Sequence, residues 1–214
     1  TVTGVQTCAL PISVSAYLKL VGDEPGFLLE SVEHGERWSR YSFVGRNAQR
    51  TLVLRDGAIS VDGPLPEGTV LDRGILAAME SLLAVYHAPL IADLPPLQGG
   101  LMGFLGFDVV REVEDLPSGG TDDRGLPDAV MSMIGSLVAF DHWRQRAYVL
   151  ESVAVHGLDA AAIDAAYDSA ITRIECTVTD LSKPFSDVAV EPPSEEERRV
   201  AAREVKKGSD YQRS

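Results

Sequence analysis

The reading of the fold starts from residues 26–47, GFLLESVEHGERWSRYSFVGRN. An apolar run, Phe27-Leu28-Leu29, stops at Glu30-Ser31, and a polar turn containing Gly35 leads into an alternating run from Trp38 to Val44 that ends at Gly45. Two short β-type runs joined by a glycine-containing loop predict a hairpin. Side chains alternate along a strand, so Arg40 and Ser42 fall on one face of the second run and Tyr41 and Phe43 on the other. An acid and a hydroxyl closing the first strand, with Arg and Ser on the returning one, can converge on a small zwitterion. The carboxylate takes an ammonium, and Arg takes a carboxylate through two parallel bonds. Periodicity by itself favours a plainer reading, in which Glu30 and Ser31 end a strand and Arg40 faces water, because most polar residues at strand ends are solvated.

Downstream, β-type runs over 50–54 and 58–61 flank Asp56-Gly57, a strong short hairpin signal because glycine accepts positive φ. Asp72 is expected to cap a helix of about sixteen residues, with Ile75, Met79, Leu82, Leu83 and Tyr86 on one stripe and Pro89 closing it. The run 99–108, GGLMGFLGFD, is rich in glycine but lacks both the GxGxxG spacing and a following Lys-Ser/Thr pair, so it is no nucleotide loop. Its glycines mark a buried strand that another backbone or a ligand approaches closely. An acidic loop over 111–128 returns to one long apolar strand, 129–140, and a turn at Asp141-His142-Trp143-Arg144 leads into a partner strand, 145–155. Asp141-His142 has the composition of a catalytic pair, yet no nucleophile is tied to it and adjacent residues point apart, so it reads as a structural turn. Asp159 caps a second helix with the stripe Ile163, Ala166, Tyr167, Ala170, Ile171 and Ile174, and Cys176 is expected at its end as a small buried hydrophobe. From Leu181 the composition shifts to a linker, and Ser194-Glu195-Glu196-Glu197 reads as a capping box opening a third helix. The elements together predict an α+β fold, mostly antiparallel sheet packed with amphipathic helices.

A chain of 214 residues is one large domain or two small ones, with room for a proper core. The net charge of −13, without any basic stripe, argues against nucleic acid and against an anionic membrane surface. Cys8 and Cys176 are far apart with no metal-type spacing, which makes a reduced cytoplasm the expected setting. Residues 1–12, TVTGVQTCALPI, fit nothing that follows and lack the pattern of a signal peptide; they are expected to be a non-native or disordered leader.

Two segments, LLES at 28–31 and RWSRYSFVG at 37–45, resemble the N-terminal region of anthranilate synthase component I. It belongs to the chorismate-utilising family, which also includes aminodeoxychorismate synthase component I. The glycine strand resembles the family's second N-terminal signature, with Phe107 where Tyr is commoner, and the turn after Phe140 is similar to the family's FDH-type turn. The resemblance implies that Leu29, Glu30 and Ser31 line the pocket in which L-tryptophan inhibits the enzyme, with Ser31 as a hydrogen-bonding member. Arg40 and Ser42 are candidates from strand facing and not from a family match. It further implies a parent that makes anthranilate and pyruvate from chorismate, with Mg²⁺ on the substrate and ammonia from a glutamine amidotransferase subunit. The family's chorismate site, Mg²⁺-binding glutamates and general acid/base lie in a C-terminal domain whose motifs this sequence lacks. No residue here is assigned a catalytic role, no metal is expected to bind, and the fragment alone is expected to be inactive. On this reading residues 13–180 are the N-terminal domain, and 181–214 are a linker and the truncated start of the catalytic domain. Two alternatives stay open: an aminodeoxychorismate synthase component I fragment, and a non-catalytic amino-acid-binding or scaffolding module.

Overall fold

The computed structural model describes residues 12–30, 40–117 and 124–184, together with 194–196 and 199. The chain divides into two compact units, Thr1–Lys183 and Pro184–Ser214. In the second, Glu195 and Glu196 are helical directly after Ser194, and the remainder of the expected third helix falls mostly outside the described residues.

The first unit is α+β, built from two antiparallel four-stranded sheets. Strands β1 (Gly26–Leu29), β2 (Tyr41–Arg46), β7 (Ser136–Asp141) and β8 (Arg146–Glu151) form the first in the order β1-β2-β7-β8. Strands β3 (Arg50–Arg55), β4 (Ala58–Val61), β5 (Leu101–Leu105) and β6 (Ala129–Met133) form the second in the order β4-β3-β6-β5. The opening hairpin is present, with Gly26 opposite Arg46 and Leu29 opposite Phe43. So is the Asp56-Gly57 hairpin, whose two turn residues have φ of 51° and 73°, as a tight primed turn requires.

Helix α1 (Ile12–Leu20) opens at the last residue of the expected leader and was not foreseen as a helix; residues 1–11 lie outside the described ones. With α3 (Ala160–Ser182) it lies on one side of the first sheet, where Ala16, Leu20 and Val21 pack on Val44, Val138 and Phe140. Helix α2 (Ile75–Val85) covers the second sheet, placing Ile75, Ala78 and Leu82 on Leu52, Leu54 and Ala129. A third cluster joins Phe43, Leu137 and Ala139 of the first sheet to Met102 of the second. The first sheet therefore buries both faces of its central strands, one under α1 and the other against the second sheet, and β7 is buried along its whole length.

Four expectations change. The apolar run 129–140 is two strands, because the chain leaves one sheet for the other at Ile134-Gly135. The β2–β3 connection crosses at the same place through Asn47, with φ of 52°, and a Cβ on Gly135 would lie 1.9 Å from the Asn47 carbonyl oxygen. Helix α2 is shorter than expected, and Asp72 does not cap it. Instead the Glu112 carboxylate, from a 3₁₀ turn (Phe107–Glu112), accepts from the Ile75 and Leu76 N–H groups at 2.7 and 3.0 Å. Gly74, at φ 90°, leaves the space the carboxylate occupies. Strand β5 is an edge strand, with Phe104 and Leu105 exposed, although Gly103 does press on a neighbouring backbone, that of Val130. Finally, α3 runs past Cys176 to Ser182, so that Cys176 is mid-helix and exposed. Its Asp159 cap is as expected, accepting from Ala162 N–H at 2.8 Å. Among the described residues no helix is long and apolar enough to cross a membrane.

Candidate functional site

The candidate site is the outer end of the β1–β2 hairpin. Strand β1 is short and lies on a sheet edge, so its last residues leave the core: Leu29 is 40% exposed and Glu30 is exposed beside it. Ser31 lies outside the described residues. The Glu30 carboxylate accepts a hydrogen bond from Ser13 Oγ in the first turn of α1, an intramolecular partner that the sequence did not signal. Ser13 itself is fully buried.

Arg40 and Ser42, expected on one face and open to a ligand, are each already engaged. Arg40 donates to Asp141 through one edge of its guanidinium, Nε to Oδ1 at 3.1 Å and Nη2 to Oδ2 at 2.7 Å. Its guanidinium carbon sits 4.7 Å from the Tyr41 ring centroid and 5.3 Å from that of Trp143. A planar cation held in a bidentate pair and stacked on aromatic rings is in a preferred arrangement for arginine. Asp141, 1% exposed, also accepts from the Trp143 and Arg144 N–H groups, each at 3.1 Å, which closes the turn. Arg40 above all holds the Asp141 carboxyl well below the usual carboxylate range, with those N–H groups contributing and burial opposing. Ser42, also 1% exposed, shares a hydrogen bond of 2.8 Å with His142 Nε2. The pairing follows from register: Tyr41 stands opposite Asp141, which puts Arg40 and Ser42 beside the DHWR turn. Asp141 and His142 thus serve two different residues of the neighbouring strand and do not act on one another as a catalytic pair would.

A second recess, of about 390 Å³, lies at the opposite end of the sheet, lined in part by Asn47, Gly135, Ser136, Glu151 and Arg173. Its carboxylate is spoken for on one side, since Glu151 Oε2 accepts from Arg173 Nε at 2.9 Å, while Oε1 is buried without a protein partner. Among the described residues no three His, Cys, Asp or Glu side chains converge as a metal site.

Comparison with known proteins extends the reading beyond geometry. No family model matches the chain. Anthranilate synthase component 1 of Mycolicibacterium smegmatis is 38% identical over 175 residues, covering 81% of this chain and 33% of that protein. The Thermus thermophilus protein of the same name is 43% identical over 139 residues, covering 62% of this chain and 28% of that one. The crystal structure of anthranilate synthase component I from Streptococcus pneumoniae superposes with a TM-score of 0.55 at 21% identity. It covers 76% of this chain and 35% of that one, and supports the fold. The chain spans about a third of the length of these relatives. Across most of its own length, the chain is similar to anthranilate synthase component 1.

Proposed function

We propose that this chain is the N-terminal, tryptophan-sensing part of an anthranilate synthase component 1. The observation that carries the reading is the exposed end of β1, where the Leu29 side chain and the Glu30 carboxylate are presented to solvent on the segment whose wording resembles the family's effector motif. An apolar side chain beside an accessible carboxylate suits an aromatic amino acid, whose ammonium the carboxylate accepts. Ser31, which follows Glu30 in the sequence, carries a hydroxyl. Arg40 and Ser42 hold β2 behind this segment through Asp141 and His142, and they meet the effector only if those bonds are shared. In the full-length parent, chorismate chemistry, Mg²⁺ and ammonia from a glutamine amidotransferase subunit belong to residues beyond this chain. The parent is a cytoplasmic biosynthetic lyase under feedback control.

The test is made in the full-length enzyme carrying this segment, with Ser31→Leu. Losing one bonded partner costs about 1–3 kcal/mol, or roughly 5- to 150-fold in a coupling constant. Tryptophan inhibition weakens by at least that order, while turnover without tryptophan stays near normal. An unchanged inhibition curve would reduce Ser31 to a strand end and defeat the proposal.

A further inference from the structure

We propose that α1 couples Glu30 to the last turn of α3, with Ser13 as the positioning residue at one end and Arg46 as the clasp at the other. Helix α1 and strand β1 are successive in the chain, and β1 folds back beside the helix. Glycine at position 22, with φ of 58°, turns the chain at the closed end of this pair. The open end is fastened by the hydrogen bond from Ser13 Oγ to the Glu30 carboxylate.

At the closed end two cations tie α1 to α3. Lys19 Nζ donates to the Leu181 carbonyl at 2.8 Å, a contact that suits a cation at a helix C-terminus. Arg46 Nη1 donates to the Leu20 carbonyl at 3.1 Å and to Asp180 Oδ2 at 3.0 Å, and Nη2 donates to Thr177 Oγ1 at 2.8 Å. One guanidinium therefore bridges β2, the end of α1 and the end of α3. Its Nε is buried without a partner, and Thr177 is fully buried. The clasp is thus sensitive to where α1 ends, because a displaced Leu20 carbonyl would leave a second buried N–H unmet. Between the two ends α1 is nine residues of helix, about 13 Å, with Ala16 and Leu20 packed on Val44 and Val138. An element so seated shifts as a body. After the last turn of α3 the chain passes at Pro184 into the second unit.

This inference rests on the reading that Glu30 meets an effector ammonium. A charged donor binds a carboxylate more strongly than a hydroxyl does, so an arriving ammonium competes with Ser13 for Glu30. Ser13, buried and deprived of its acceptor, then moves α1, which alters the hold of Lys19 on Leu181 and, through the Leu20 carbonyl, the Arg46 clasp on Asp180. Coupling of this kind requires a demonstrated energetic link and not merely a chain of contacts.

The link is measured without any effector, which separates its failure from failure of the tryptophan reading. Amide hydrogen exchange is followed in this 214-residue chain as wild type, Ser13→Ala, Glu30→Ala and the double variant. Glu30 is exposed, so its removal leaves the core intact. Either single variant is expected to speed exchange at residues 178–182 by about 5-fold, the equivalent of one net hydrogen bond. The amides of α2 should be unaffected, and the double variant should be no faster than the singles, because both remove the same bond. The inference is overturned if exchange at 178–182 is unchanged, if α2 accelerates by the same factor, or if the two effects add.

Discussion

Gly135 sits where both crossing strands pass from sheet to sheet, and replacing it with alanine tests that account of the fold. A Cβ at this position would lie 1.9 Å from the Asn47 carbonyl oxygen, and real Cβ atoms essentially never come within 3.0 Å of another heavy atom. The two backbones must separate by about 1 Å, and neither is free to move. Gln49 N–H donates to the Met133 carbonyl at 2.9 Å, Ile134 N–H to the Gly100 carbonyl at 2.9 Å, and Ser152 N–H to the Gly135 carbonyl at 3.1 Å. Overpacking costs about 1–3 kcal/mol, and disrupting one of these bonds adds about 0.5–1.5 kcal/mol. The expected loss of roughly 2–4 kcal/mol is a large part of the ~5–15 kcal/mol that holds a domain together. For a chain of this size each kcal/mol lowers the melting midpoint by about 2–4 °C, so Gly135→Ala should melt roughly 4–16 °C early. Circular dichroism melts of this variant are compared with Gly99→Ala, where the new Cβ meets Ser152 Oγ at an ordinary 3.4 Å. A Gly135→Ala midpoint within about 1 °C of wild type would refute the crossing geometry.

Two further outcomes follow from the corrected contacts. Glu112→Ala removes the carboxylate that caps α2 and should cost about 1–2 kcal/mol, whereas Asp72→Ala should be close to neutral; equal melting midpoints for the two would contradict the cap assignment. Arg40→Met should destabilise the protein in a pH-dependent way that urea unfolding at several pH values can follow. With the folded Asp141 pKa depressed, the Arg40 pair stabilises fully above the unfolded value of about 3.9, and that contribution is lost as pH falls through the folded value. The gap between wild type and variant should accordingly be widest above about pH 4 and close below it; a gap constant from neutral to acid pH would mean Asp141 is not held by Arg40.

What the sequence determined by itself was local. Asp56-Gly57 encodes a tight turn because both residues tolerate positive φ, Asp159 caps the helix that starts one residue later, and the β1–β2 hairpin follows from an apolar run and an alternating run separated by a polar stretch. The α+β class was within reach for a related reason, since the hydrophobic period that marks each strand and helix is local. What needed the tertiary structure were choices between partners remote in sequence. An apolar run such as 129–140 is equally content buried in one sheet or in two, so only the approach of Asn47 to Gly135 reveals the break. Asp72 stood at a plausible cap, yet Glu112, thirty-seven positions from Ile75, reached the helix's free N–H groups first. Arg40 and Ser42 share a face by periodicity, but pairing with β7 places Asp141 and His142 beside them, and groups free in the sequence become occupied in the fold. Ser13 carried no signal at all, because its meaning arises only when α1 and β1 lie side by side and its buried hydroxyl finds the carboxylate of Glu30.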